Sequence, residues 1–249
     1  MELTTVIKRY KTCPIKECGE QLVRIPKSIF PYIEPHDYTA KGAPYNGASP
    51  WDIREGVLKA LLEAHEELTR RRPGWKIAIF DAYRPNEVQA YMVELEYAVQ
   101  AKKVLHKEYK DLTEADREKL APIVFRIWGV PSEDPKTPPP HSTGAALDIT
   151  LMRPNGKLAW MGSPIDENSD RSNPNHFLKS KFWNLMGRRA HSNRQLLNDV
   201  MIAAGFVRHQ TEWWHFSRGD QYWQWLQETE LGRPAKPAIY GRAALLLNK

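Results

Sequence analysis

Two short segments concentrate side chains able to do metal chemistry. The first is His141-Ser-Thr-Gly-Ala-Ala-Leu-Asp148 and the second is Glu212-Trp-Trp-His215. Together they offer two imidazoles and a carboxylate as ligands, with another carboxylate shortly before the last imidazole. Metal-assisted hydrolysis asks for such a set: three protein ligands, an open position for water, and a nearby general base.

Each part also has a plainer explanation. His141 and Asp148 suit a loop imidazole running into a strand whose inward face carries the carboxylate, with Gly144 turning the backbone between them. They equally suit a capping His and an ordinary hydrogen-bonded Asp. Glu212 and His215 stand in an i, i+3 relation, so a regular strand would point them to opposite faces. Joint action therefore needs a bulge, a twisted strand end or a turn, whereas an aromatic core strand with surface charges needs none. Trp213 and Trp214 read as packing. Arg84 stands at a strand exit with Asp81 and Tyr83; its guanidinium could stabilise the oxyanion of a tetrahedral intermediate, or simply pair with Asp81. The remaining histidines, 36, 65, 106, 176, 191 and 209, lack comparable contexts, and His176 and His209 are the reserve ligands. No Gly-rich phosphate loop, G-x-S-x-G elbow or Cys nucleophile is evident.

These residues need a scaffold, and the hydrophobic pattern supplies one. Residues 1–48 read as irregular apart from a short strand at Gln21–Ile25. Ser49 as N-cap, Pro50 in the first helical position and Asp52 in the first turn predict a helix start. Its apolar stripe runs through Val57, Leu58, Leu61, Leu62 and Leu68, and Pro73-Gly74 ends it. Lys76–Phe80 reads as a strand, Pro85 to about Val104 as a second helix, and Thr113 with Asp116 opens a third that contains Pro122. The Pro-rich run 131–140 predicts a stiff extended approach to His141. From Gly144 to Met152 the chain alternates, with Ala145, Leu147, Ile149 and Leu151 on one face and Ala146, Asp148 and Thr150 on the other. Asn155-Gly156 predicts a hairpin into Lys157–Met161. A capping box at Ser192–Gln195 predicts a helix to about Ala204 that Gly205 stops. Phe206–Gln210 and Thr211–Phe216 read as strands, Gln221–Glu230 as a short helix, and the tail from Gly232 as a surface cover. Helices and antiparallel hairpins without βαβ alternation make the fold α+β, here a single domain over 1–249 with an irregular segment 1–48 and a tail 232–249.

Composition bounds the function. Hydrophobic residues at 41%, with nine Trp and ten Tyr, favour a packed chain over a disordered one. The formal charge of +6 is dispersed, and the one dense run, Arg70–Arg72, ends a predicted helix where cations suit the dipole. That pattern points away from nucleic acid. Cys13 and Cys18 do not make a C-x-x-C pair, and read as reduced bystander thiols. Met1 to Lys16 has no signal-like apolar run, and no stretch approaches the ~20 apolar residues of a membrane span. The expectation is a cytoplasmic protein with no membrane or nucleic-acid partner; the oligomeric state is not legible.

Taken together, the segments resemble the D-alanyl-D-alanine dipeptidases, the VanX-like branch of the zinc D,D-peptidases. The family pattern of Asp-x-Tyr-Arg-Pro, His-x-x-Gly-x-Ala-x-Asp, Met-Gly-x-x-x-Asp and Glu-x-Trp-His is met in order by Asp81–Pro85, His141–Asp148, Met161–Asp166 and Glu212–His215. The resemblance implies a small central antiparallel sheet flanked by helices and one zinc ion held by His141, Asp148 and His215. It implies Glu212 as general base and proton shuttle, Arg84 as transition-state stabiliser, and Asp166, with Tyr83, as substrate-binding residues for a small peptide such as D-Ala-D-Ala. One departure stands out: where the best-known members have Ser two residues before the first zinc His, this chain has Pro139. The rival activities are a D,D-carboxypeptidase or L,D-endopeptidase acting on longer peptidoglycan peptides, and a zinc-stabilised muropeptide-binding module without catalysis.

Overall fold

The computed structural model describes residues 9–179 and 185–243. The readings of Met1 to Lys16 and of the tail past 243 lie partly outside them. In chain order the strands are β1 (Leu22–Arg24), β2 (Asp52–Arg54), β3 (Lys76–Asp81), β4 (Ala146–Met152), β5 (Val207–Arg208) and β6 (His215–Ser217). The helices are α1 (Asp37–Ala40), α2 (Glu55–Arg71), α3 (Asn86–Gln100), α4 (Glu114–Val124), α5 (His176–Lys179), α6 (Leu185–Ala203) and α7 (Gln221–Thr229). The fold is α+β. A four-stranded sheet in the order β3-β4-β6-β5, antiparallel throughout, carries the site, and β1 and β2 form a separate antiparallel pair.

β4 is the organising strand. Its alternation places Ala145, Leu147, Ile149 and Leu151 in the main core with Val57, Leu61 and Leu68 of α2 and Leu197, Val200 and Met201 of α6. Each fully buried aliphatic side chain contributes roughly 1.5–3 kcal/mol, so this face fixes the register. The opposite face then brings Asp148 level with His215 of β6 and Asp81 of β3 in one cross-strand row. A register shift between Ile79 and Asp81 turns the end of β3. A second core, containing Tyr38, Val88, Met92, Leu120 and Trp128, joins α1, α3 and α4.

Several predicted boundaries move. Ser49 does not cap the first long helix: its hydroxyl accepts from Trp51 N–H in a turn, and Asp52–Arg54 pairs with β1, so the helix begins only at Glu55. Ser192 lies inside α6, which is already helical at Leu185. Beyond the Asn155-Gly156 turn a single Met152–Leu158 bridge replaces the expected strand. The strands expected over 206–216 shrink to β5 and β6 with bends between. The Thr113–Asp116 capping box forms as predicted, and α3 continues through a π-turn to Leu105. The tail returns to the body: Ala238 bridges Ile15, and Tyr240 is buried in the main core. Cys13 and Cys18 are unpaired. No helix among the described residues is long and apolar enough to cross a membrane.

Candidate metal centre

The three ligand candidates meet. One ligand atom each from His141, Asp148 and His215 lies within 4.8 Å of the others, and all three residues are buried. Asp148 comes from the middle of β4 and His215 from the start of β6. His141 comes from a 3-10 turn, Pro140–Thr143, closed by Gly144 at φ 69. At that left-handed φ an L side chain is strained, so this turn favours glycine for its dihedral.

Hydrogen-bond partners decide where the lone pairs point. His141 Nδ1 faces the Ala82 carbonyl at 2.7 Å, an acceptor only, so Nδ1 carries the hydrogen and Nε2 the lone pair. Ser217 donates its hydroxyl to Asp220 at 2.8 Å, and so accepts from His215 Nε2 at 3.3 Å. That assigns the His215 lone pair to Nδ1. These two nitrogens stand 3.1 Å apart, with Asp148 Oδ1 3.1 Å from His215 Nδ1 and Asp148 Oδ2 3.3 Å from His141 Nε2. Two lone pairs and a carboxylate thus converge with no proton assigned between them, and a cation fits there. Each imidazole is oriented through its other nitrogen, as metal-binding histidines usually are. Burial lowers the pKa of His215, which favours the neutral ligand form, although Asp148 opposes it. Burial opposes ionisation of Asp148 too, but His141 and His215 outweigh it and hold the carboxyl well below its ordinary range.

Arg84 borders this cluster. Its Nε donates to Asp81, Nη1 to Gln89, and Nη2 to Tyr38 and Asp148, all at 2.9–3.1 Å. Asp81 is buried, but the Arg84 charge and the His36 hydrogen bond overcome that burial and keep its pKa low. The plain pairing with Asp81 and a role at the cavity are therefore compatible, because a guanidinium has five N–H donors.

Glu212 lies in the bend before β6 and not in a regular strand, which brings it to the same side as His215 despite the i, i+3 spacing. It lines one cavity with Arg84, His141, Asp148, Asp166 and His215. Burial first, then the charges of Asp148 and Asp166, push its pKa well up. Asp166 follows the Met161-Gly162 turn with a left-handed φ of 62 and accepts from Tyr38 at 2.7 Å. Burial and Asp148 raise its pKa to about 7.

Tyr83 is the predicted site residue that is not brought to the cavity lining. It is buried, its N–H bonds to Asp52 O, and the charges around it are Glu87, Arg242, Arg54 and Asp52. Side chains alternate about the extended chain leaving β3, and Arg84 takes the inward direction. Pro139 precedes the His141 turn, and Pro140 reaches the cavity in its place. Of the reserve ligands, His209 lines the cavity 3.2 Å from Glu212, whereas His176 lies on α5 beside Phe177. Tyr38, Gln89 and Trp128 belong to the site and carried no local sign in the sequence. They become neighbours of Arg84 only through packing of α1 and α3 and the Arg84 contacts with the Tyr38 and Trp128 rings.

The model of the Peptidase_M15 family, described as D-ala-D-ala dipeptidase, matches residues 32–231. A D-alanyl-D-alanine dipeptidase of Synechocystis sp. is 43% identical over 251 residues, covering 97% of this chain and 99% of that protein. One from Enterococcus faecalis is 29% identical over 168 residues, covering 67% of this chain and 73% of that protein. One from Escherichia coli is 29% identical over 147 residues, covering 57% and 55%. A solved LdcB LD-carboxypeptidase superposes with a TM-score of 0.45 at 15% identity, covering 86% of this chain and 75% of that one. With the family model spanning His141, Asp148, Glu212 and His215 and one relative matching nearly end to end, the chain belongs to the D-Ala-D-Ala dipeptidases of the M15 metallopeptidase family.

Proposed function

We propose that this enzyme hydrolyses D-Ala-D-Ala, or a closely related D,D-dipeptide, to free amino acids with one zinc ion bound by His141, Asp148 and His215. The observation that carries the reading is the buried convergence of two lone pairs and a carboxylate, with the Glu212 carboxylate lining the same cavity outside that cluster. Zinc suits a ligand set of two imidazoles and a carboxylate, and when bound it lowers the pKa of its water toward ~7 and polarises the scissile carbonyl.

The chain's own residues do the rest. Glu212 takes the proton of the attacking water and returns it to the leaving amine. Four Arg84 donors have protein acceptors, which leaves a fifth for the oxygen that becomes negative as the carbonyl turns tetrahedral. Asp166, oriented by Tyr38, receives the substrate ammonium. An N-blocked or N-extended peptide would leave that carboxylate desolvated and unpaired, which is costly.

Glu212→Gln tests the assignment. Turnover should fall about 10²–10⁴-fold with zinc content unchanged, while His215→Ala should lose both metal and activity. A near-normal rate in Glu212→Gln would sink the role of Glu212, and turnover absent from wild-type protein with zinc bound would favour the non-catalytic binding module.

A further inference from the structure

The cavity has a wall that the metal cluster and its neighbours Arg84, Asp166 and Glu212 do not supply. Tyr10 belongs to the 3-10 turn Tyr10–Thr12, ahead of the residues matched by the family model, and yet it is buried and lines the cavity. Its ring meets Tyr222 of α7 edge-on, with centroids 5.5 Å apart, and Tyr222 stacks on His209 at 4.7 Å. All three rings border the same cavity as Glu212. Tyr10 and Tyr222 form a small apolar cluster with Val207 and Leu226, so the turn is packed and not draped.

Gln221 fastens it. Its Nε2 faces the carbonyls of Lys11 at 3.3 Å, Cys13 at 2.5 Å and Lys136 at 3.0 Å. One amide at the start of α7 thereby holds both the N-terminal turn and the Pro-rich segment. Gln221 itself is not part of the cavity lining.

Position relative to the reacting bond gives this wall a meaning. Asp166 faces Tyr38, Arg84 and Asp148, whereas the charges that act on Tyr10 are Asp220 and Glu212. If Asp166 holds the substrate ammonium, the first residue lies on the Tyr38 flank. The leaving nitrogen must lie beside Glu212, which protonates it, so the second residue faces the Tyr10 side. We propose that Tyr10, backed by Tyr222 and latched by Gln221, is a specificity-determining residue that stops the substrate after its second residue. A third residue would have to occupy the space of the Tyr10 ring. This inference rests on the dipeptidase reading and deepens it: amine recognition excludes peptides extended at the N-terminus, and the aromatic wall excludes those extended at the C-terminus.

The test compares D-Ala-D-Ala with D-Ala-D-Ala-D-Ala, both with free amino termini. It measures kcat/KM in zinc-loaded full-length enzyme, and binding by calorimetry in the Glu212→Gln background. Tyr10→Ala should raise the tripeptide-to-dipeptide ratio in both measurements by about tenfold or more, the scale on which a pocket discriminates small apolar groups. Tyr10→Phe, which keeps the ring, should leave the ratio at the wild-type value. If Tyr10→Ala does not fold by circular dichroism, Gln221→Ala, which frees the turn without touching the cavity, should shift the ratio in the same direction. An unchanged ratio in a folded Tyr10→Ala, or in Gln221→Ala where that variant must decide, overturns the wall, as does a wild-type enzyme that cleaves both peptides equally well. Wild-type protein that neither binds nor cleaves D-Ala-D-Ala takes down the dipeptidase reading and the wall with it.

Discussion

Asp148 is held between Arg84 on one side and two imidazoles on the other, and the outer partners of those imidazoles set the ligand geometry. The Ser217–Asp220 pair behind His215 is the clearest of these. Asp220 also caps α7 through the Trp223 N–H at 2.7 Å, so its carboxylate serves a helix and a ligand together. Asp220→Ala should cost about 0.5–2 kcal/mol of stability through the cap and weaken metal binding about 10–100-fold through His215. Competition with a chelator reads the second effect separately; unchanged zinc affinity would reduce Asp220 to a cap. Asp166 makes a prediction in pH. Its folded pKa is raised to about 7 by burial and by Asp148, while an unfolded Asp titrates near ~3.9. Between those values the folded chain binds more protons than the unfolded one, so metal-free protein loses stability as pH rises across that window and loses no more from this group above it. Urea midpoints should therefore fall less between pH ~4 and ~7 in Asp166→Asn than in wild type. An identical fall would show that Asp166 ionises normally.

At the scale of elements, the most legible part of the sequence was β4, because a period-2 alternation states both which face is buried and which carboxylate faces the site. The i, i+3 spacing of Glu212 and His215 was also informative: it demanded a departure from regular strand, and a bend is found there. Capping signals served less well. Ser49, Pro50 and Asp52 form a local start signal, but pairing of Asp52–Arg54 with Leu22–Arg24 competes for the same backbone and wins. Ser192 carries a cap-like pattern inside a helix whose earlier turns pack through Gly187 and Ala190. Long-range clamps had no signature at all. Arg194, fully buried on α6, donates to the carbonyls of Met161, Asn173 and Arg171 and to Ser163 Oγ, and so fixes both ends of the loop that carries Asp166. Its guanidinium also lies 5.2 Å from the Trp213 ring, next to Glu212. Arg194→Met strands those carbonyls and should destabilise the protein by about 3 kcal/mol or more. In the fraction that folds, KM for D-Ala-D-Ala should rise more than kcat falls if Asp166, which this loop carries, receives the substrate ammonium as proposed. A fall in kcat with unchanged KM would contradict that role.

Across the whole molecule, the metal cluster hangs on a sheet whose inner face is the main core, and the cavity is completed by parts distant in sequence. The α1 turn brings Tyr38, the segment around Trp128 lies under Arg84, and the N-terminal turn and α7 bring Tyr10 and Tyr222. The cluster of His141, Asp148 and His215 was legible in the sequence because its residues sit in short, ordered motifs. The walls were not, because each is a single aromatic that becomes a neighbour only after the helices dock. What the walls and Asp166 imply jointly is an enclosed site for a free dipeptide. The most direct measurement is release of D-alanine by purified, zinc-loaded enzyme from D-Ala-D-Ala and, alongside it, from N-acetyl-D-Ala-D-Ala. Cleavage of the free dipeptide with the acetylated form resistant is the predicted result. Comparable cleavage of both would contradict amine recognition at Asp166 and make the enzyme a carboxypeptidase.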